Sequence, residues 1–228
     1  MSACSLITRP QNRGRFTMTA GGTFRVLYRF KGGTNGCEPM GLVAFNGSIY
    51  GAADGGKYKS GQIFRISPAG NFQTVYSFKG SADGASPADL TVSSGLLYGL
   101  TLIGGDVTGP CGRIGCGTVF SLDATGGKRT LHRFYGHPQD GSAPNGSLLA
   151  WNGNLYGVTN TGGSHDGGVL YSISPSGREA VLHNFEFSNG PGPTFAEGEL
   201  TDLNGKLYGG AERCGSSQTG CIYALTPP

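Results

Sequence analysis

Histidine, cysteine and aspartate are the residue types through which this 228-residue chain could do chemistry, and their positions limit what that chemistry is. His132 and His183 could move protons as general acids or bases. Each lies two residues before a phenylalanine, a place that Tyr28 and Tyr76 fill elsewhere in the chain. A position that accepts tyrosine and histidine alike serves the scaffold, and both histidines are read so. His137 and His165 fall in segments that vary, but no serine or cysteine nucleophile motif accompanies them. Without a nucleophile, a base and a group to orient it, no catalytic residue is assigned.

Cys111 and Cys116 enclose four residues, and Cys214 and Cys221 enclose six. The corresponding stretches elsewhere, Lys57 to Ser60 and Ser164 to Asp166, hold no cysteine, so each pair has to be satisfied within its own loop. Local disulfides do this, and Cys4 with Cys37 completes an even number. Neither spacing matches the short knuckles that hold zinc, and no metal site is assigned. Disulfides need an oxidising compartment, so the chain is expected outside the cell or at its surface. Asp83, Asp140 and Asp166 stand singly in separate segments. Calcium, which wants six or more converging oxygens, is the only ion they leave room for, and no other cofactor is expected. The glycine pairs Gly55-Gly56, Gly104-Gly105 and Gly162-Gly163 lack the helix and lysine that follow a phosphate-cradling loop.

The elements that must position these residues recur. An Ile/Leu-Tyr-Gly triplet appears at Tyr50, Tyr98, Tyr156 and Tyr208, at intervals of 48, 58 and 52 residues. Around it each copy has a leucine-led run (Leu42, Leu90, Leu148, Leu200), a turn, the triplet, a glycine-rich stretch, and a run with a central aromatic (Phe64, Phe120, Tyr171, Tyr223). A second turn and a run ending in phenylalanine follow in three copies. Asn46-Gly47, Asn152-Gly153 and Asn204-Gly205 are hairpin signals, because both central residues of such a turn take positive φ. Each copy is therefore four short antiparallel strands, A to D, and the chain is all-β. Recurrence at this period predicts a β-propeller, most simply four-bladed. Its repeats run over about 31–79, 80–135, 136–187 and 188–228 plus 23–30. They form one domain, 23–228, after a tail at 1–22. The D-type run Phe24 to Phe30 is expected to complete the last blade beside Leu200 to Leu225, closing the ring and hiding two strand edges. Residues 14–19 also have the pattern of a C strand and compete with 220–225 for one place. The earlier segment is taken as an extra strand of the tail, with pairing between chains as the alternative.

A glycine, one residue, Leu-Tyr-Gly, then Gly-Gly and Gly-Thr-Val-Phe, with Leu-His-x-Phe and Asp-Gly-x-x-Pro between copies, resembles the GloVer tandem repeat of choice-of-anchor bacterial proteins. Gly153 to Phe185 carries the pattern most fully, and the resemblance covers about residues 14–226. It implies an exported, often surface-anchored β-repeat protein and brings no catalytic residues with it. The chain departs from the pattern in ending Thr226-Pro227-Pro228 without a visible anchor.

In such a blade the A–B and C–D turns share one face, and the B–C loops and D-to-A links share the other. The second face collects the variable residues, where binding sites usually lie. Lys57, Tyr58, Asp83, Arg113, Asp140, His165 and Asp166 are its candidate ligand-binding residues. The expectation is a non-catalytic extracellular binding module presenting this face to a glycan or a surface macromolecule. One alternative is a structural subunit that self-associates into oligomers or fibres through its terminal strands; another is a polysaccharide lyase or hydrolase. A formal net charge of +3 is too small to indicate nucleic acid. No segment has the length of a membrane helix, so membrane insertion is not expected. Met1 to Ala20 contains three arginines and no secretory apolar stretch, which reads as a mature or trimmed chain.

Overall fold

Asn46, Asn152, Asn204 and Ser94 all adopt φ between 44° and 52°, and the glycine after each is also left-handed. These four turns are the first hinge of four successive antiparallel sheets. The structure, a computed structural model, describes residues 14–18, 22, 24–187, 193–214 and 219–227. Sheet I comprises β3 (Cys37–Phe45), β4 (Ser48–Asp54), β5 (Gln62–Ile66) and β6 (Phe72–Ser77). Sheet II comprises β7 (Ala85–Ser93), β8 (Leu96–Ile103), β9 (Thr118–Leu122) and β10 (Lys128–Arg133). Sheet III comprises β11 (Gly141–Trp151), β12 (Asn154–Gly162), β13 (Asp166–Ile173) and β14 (Glu179–Glu186). Sheet IV has three strands, β15 (Pro193–Leu203), β16 (Lys206–Cys214) and β17 (Thr219–Leu225). Each sheet is an up-and-down meander in chain order, and the helices described are single 3-10 turns.

The second hinges are also as their residues require. Gly70, Gly126 and Gly177 have φ of 87°, 95° and 98°. Each donates its amide to the carbonyl three residues earlier, on Ser67, Asp123 and Ser174. The sheets pack face to face, so the core forms in layers between them. Tyr50, Ile63, Phe78, Leu97 and Phe120 share the layer between sheets I and II, and Leu100, Phe134, Leu155 and Tyr171 that between II and III. Fully burying each of these side chains stabilises the fold by roughly 1.5–3 kcal/mol.

Strand-level closure differs from expectation. β2 (Phe24–Arg29) does not complete sheet IV; it pairs antiparallel with β1 (Gly14–Met18), from Gly14 opposite Arg29 to Met18 opposite Phe24. The cause is local: β1 itself has the C-strand pattern and takes the ladder edge that β17 was expected to fill. Among the described residues β17 has only β16 as a neighbour. β2 still packs as a D strand should, since Tyr28 and Phe30 lie against Phe64 and Phe72 of sheet I. It stands as the last strand of a unit ahead of sheet I.

Cys111–Cys116 and Cys214–Cys221 are disulfides, each spanning one B–C loop. Cys37 is also disulfide-bonded, and its expected partner Cys4 lies outside the described residues, as do the rest of 1–13 and the link 188–192. No helix among the described residues is long and apolar enough to cross a membrane.

Candidate functional site

The B–C loops and the D-to-A links lie on one face and are stitched together through their backbones. Both members of the pairs Gly55-Gly56, Gly104-Gly105 and Gly162-Gly163 take positive φ, from 75° to 89°, which turns the second amide toward the link ahead of its sheet. Gly56 donates to Gly33, Gly105 to Ser81 and Gly163 to Asp140, at 2.7–3.0 Å. These glycines shape a joint between segments, which accounts for their backbone without an anion. The side chains exposed on this face include Lys57 beside the Tyr58 ring at 5.2 Å, Arg113 and Ile114, Tyr135, His165, Asp166 and Phe187. His165 Nδ1 lies 3.1 Å from Ser164 Oγ, and Asp166 Oδ1 accepts the Gly162 amide. The face thus offers an aromatic or aliphatic surface from each of sheets I to III, with cations and a carboxylate between.

Asp83 and Asp140 do something else. They sit beneath the face, in a slot that recurs wherever one sheet meets the next. Its wall is the D-strand pair of the preceding unit and the aromatic C-strand residue of the following sheet: Phe30 on Phe64, Phe78 on Phe120, Phe134 on Tyr171 and Phe185 on Tyr223, all with ring centroids 5.1–5.2 Å apart. Its occupant is the first residue of the following D strand, and the polar neighbour comes from the link. Ahead of sheet I the occupant is Phe72, stacked on Tyr28 at 4.1 Å, whose hydroxyl accepts from Asn35 Nδ2.

Between sheets I and II the occupant is Lys128. Its side chain is 4% exposed, and Nζ donates to Asp83 Oδ1 at 2.9 Å, to the Asp83 carbonyl and to Thr130 Oγ1. Tyr76 Oη also donates to Asp83, and the ammonium lies over the rings of Tyr76, Phe78 and Phe120. Partial burial works against the charge on Asp83. The Lys79 amide, Lys128 and Tyr76 outweigh that penalty and hold its carboxyl below the ordinary 3.8.

Between sheets II and III the occupant is Glu179. His132 Nε2 lies 2.9 Å from Asp140 Oδ2, which also accepts the Tyr135 amide, while Asp140 Oδ1 accepts the Gly141 amide. Glu179 completes a group whose ligand-type atoms all lie within 4.8 Å of one another. Burial, with the Asp140 charge beside it, pushes Glu179 up to about 7, against the pull of His132. Glu179 Oε1 and Tyr171 Oη are buried without a hydrogen-bond partner. Burial first, then the Glu179 and Asp140 carboxylates, raise the Tyr171 phenol, so it lies within electrostatic reach of both.

Of the residues expected to bind ligand, the loops bring Lys57, Tyr58, Arg113, His165 and Asp166 to the surface. Asp83, with a side chain 21% exposed, is bonded to Lys128, and Asp140 is buried beside His132. Sequence reasoning missed Glu179 and Tyr171 and set His132 aside. The available signal was the D-strand start, which runs Phe72, Lys128, Glu179 and so changes charge sign between neighbouring copies.

No curated protein matches the chain. Among solved structures it is similar to a luciferin-regenerating enzyme at TM-score 0.55 and 13% identity, over 90% of this chain and 66% of that one. It is also similar to a putative gluconolactonase at TM-score 0.53 and 18% identity, over 95% of this chain and 71% of that one. A puromycin hydrolase aligns at TM-score 0.52 and 17% identity, over 89% of this chain but 28% of its own length. The chain thus spans about two thirds of the first two, and identity this low shows a shared fold only: consecutive antiparallel sheets in a propeller-like arrangement. The sequence itself is more specific. Residues 107–228, more than half of its length, match the Gloeobacter/Verrucomicrobia repeat, and the chain belongs to that repeat family.

Proposed function

We propose that this protein is a β-propeller-type binding module of an oxidising, extracellular setting, which presents its loop-and-link face to a glycan or a glycan-bearing surface. The observation that carries the reading is the segregation of chemistry. Tyr58, Tyr135 and Phe187 are 44%, 54% and 51% exposed on that face, while the equivalent packing residues beneath are buried. Exposed aromatic rings flanked by Lys57, Arg113, His165 and Asp166 suit sugar faces, which stack on aromatics and hydrogen-bond at their edges. The two disulfides brace loops of this face and fit an oxidising compartment. Calorimetry of the full chain against a panel of soluble polysaccharides tests the reading. Binding that Tyr58→Ala and Tyr135→Ala each weaken by tenfold or more supports it, and binding unchanged by both overturns it. Turnover of a polysaccharide, lost in His165→Ala or Asp166→Ala, would move the chain to the lyase or hydrolase alternative.

A second reading has its own observation. Beside β17 a cavity of ≈ 230 Å³ is lined by His183, Phe185, Tyr223 and Leu225, the wall that receives Phe72, Lys128 or Glu179 in the other slots. A D-type strand with the pattern of Phe24–Arg29, supplied by a second copy, fits this place and would link chains into oligomers. A monomer at high concentration by light scattering removes this reading.

A further inference from the structure

The slot between sheets I and II is built around a cation, and the slot between sheets II and III has the anions for one. In the first, the Lys128 ammonium sits among Asp83, Tyr76, Phe78 and Phe120. In the second, the residues at the same repeat positions are Glu179, Asp140, His132, Phe134 and Tyr171, so the ammonium is replaced by a second carboxylate beside an imidazole. The Asp140 and Glu179 carboxylates repel one another at this half-buried junction, and the one His132 imidazole that pulls on Glu179 is already bonded to Asp140. Glu179 Oε1, buried and without a hydrogen-bond partner, is the polar atom left to be satisfied there.

We propose that the junction of sheets II and III is a binding site for one divalent transition cation of the zinc class, held by His132 Nε2 and the carboxylates of Asp140 and Glu179. The donor set decides the class. Calcium and magnesium take oxygen shells, whereas one imidazole with two carboxylates is a zinc-type set that leaves a fourth position for water. The three ligand atoms lie within 4.8 Å of one another, so Glu179 has to draw in for all three to share one ion. Two donors on one zinc stand about 3.3 Å apart for bonds of about 2.0–2.1 Å, and His132 Nε2 and Asp140 Oδ2 are 2.9 Å apart. Asp140 is already oriented by the amides of Tyr135 and Gly141, as hydrogen-bond donors behind a ligating carboxylate fix its direction. Bound there, the ion ties the link 134–140 and β10 to β14, doing for sheets II and III what Lys128 does for sheets I and II. This site is independent of the loop-face reading.

The test uses the full chain stripped with a chelator and titrated with zinc chloride, read by calorimetry and by native mass spectrometry. One zinc per chain is expected. Glu179→Lys restores the residue type of the neighbouring slot, and it should fold, melt cooperatively and lose zinc affinity by more than about tenfold. Glu179→Gln, which keeps shape without charge, should weaken zinc in the same direction, and Asp83→Asn should leave zinc stoichiometry at one. Absence of zinc binding by the stripped chain, binding unaltered in both Glu179 variants, or calcium binding in place of zinc would each overturn the proposal.

Discussion

Gly51, Gly99 and Gly157 of the Tyr-Gly triplets explain at single-residue scale why that motif recurs. None needs a left-handed backbone; each is where the aromatic ring of the adjacent C strand crosses the B strand. A Cβ at Gly99 would lie 2.6 Å from Phe120 Cζ and 2.9 Å from Leu90 Cδ2, and one at Gly157 would run into Tyr171 Oη. The ring cannot move aside, because Phe120 is held on its other side by Phe78 at 5.2 Å. Gly99→Ala is therefore expected to destabilise the chain by about 1–3 kcal/mol, with urea denaturation as the measurement. The glycine pairs of the B–C loops differ in kind, since their φ values and their amide bonds to the preceding links carry their role.

At the scale of elements, the joints between sheets depend on matched occupants. Phe72 faces Tyr28, Lys128 faces Asp83, and Glu179 faces His132 and Asp140. The Asp83 joint makes a pH prediction. Its carboxyl titrates below the ordinary 3.8 in the folded chain, so folding binds the ionised form. That contribution is fully present above the unfolded value and is lost as pH falls through it toward the folded one. Melting temperature against pH should fall on the acid side in the wild type. Asp83→Asn should flatten that acid limb and lower stability at neutral pH, where Lys128 loses its ionic partner. Much of this level was legible in the chain itself: the Asn-Gly turns, the A-to-D order and the two loop disulfides follow from residue types with local geometric demands. The joints were not, because whether Asp140 meets solvent or His132 depends on how two sheets approach, and no local pattern encodes that distance. The strand partner of Phe24–Arg29 was misjudged for a related reason. Gly14–Met18 and Thr219–Leu225 offer ladders of the same type, so hydrophobic pattern alone does not choose between them.

For the whole molecule, the sheets form a stiff frame with its variation confined to one side. The turn side repeats Asn-Gly or Ser-Gly four times, and the loop side exposes Tyr58, Arg113, Ile114, Tyr135, His165 and Phe187. The Cys111–Cys116 disulfide limits the motion of its loop on that side, which lowers the ordering cost of binding there. Hydrogen–deuterium exchange with and without a bound polysaccharide tests this division most directly. Protection is predicted at residues 56–61, 105–115, 135–140 and 163–167, with the hairpins at 46–47, 94–95 and 152–153 unchanged. Protection centred on those hairpins, with the loops exchanging as before, would contradict it.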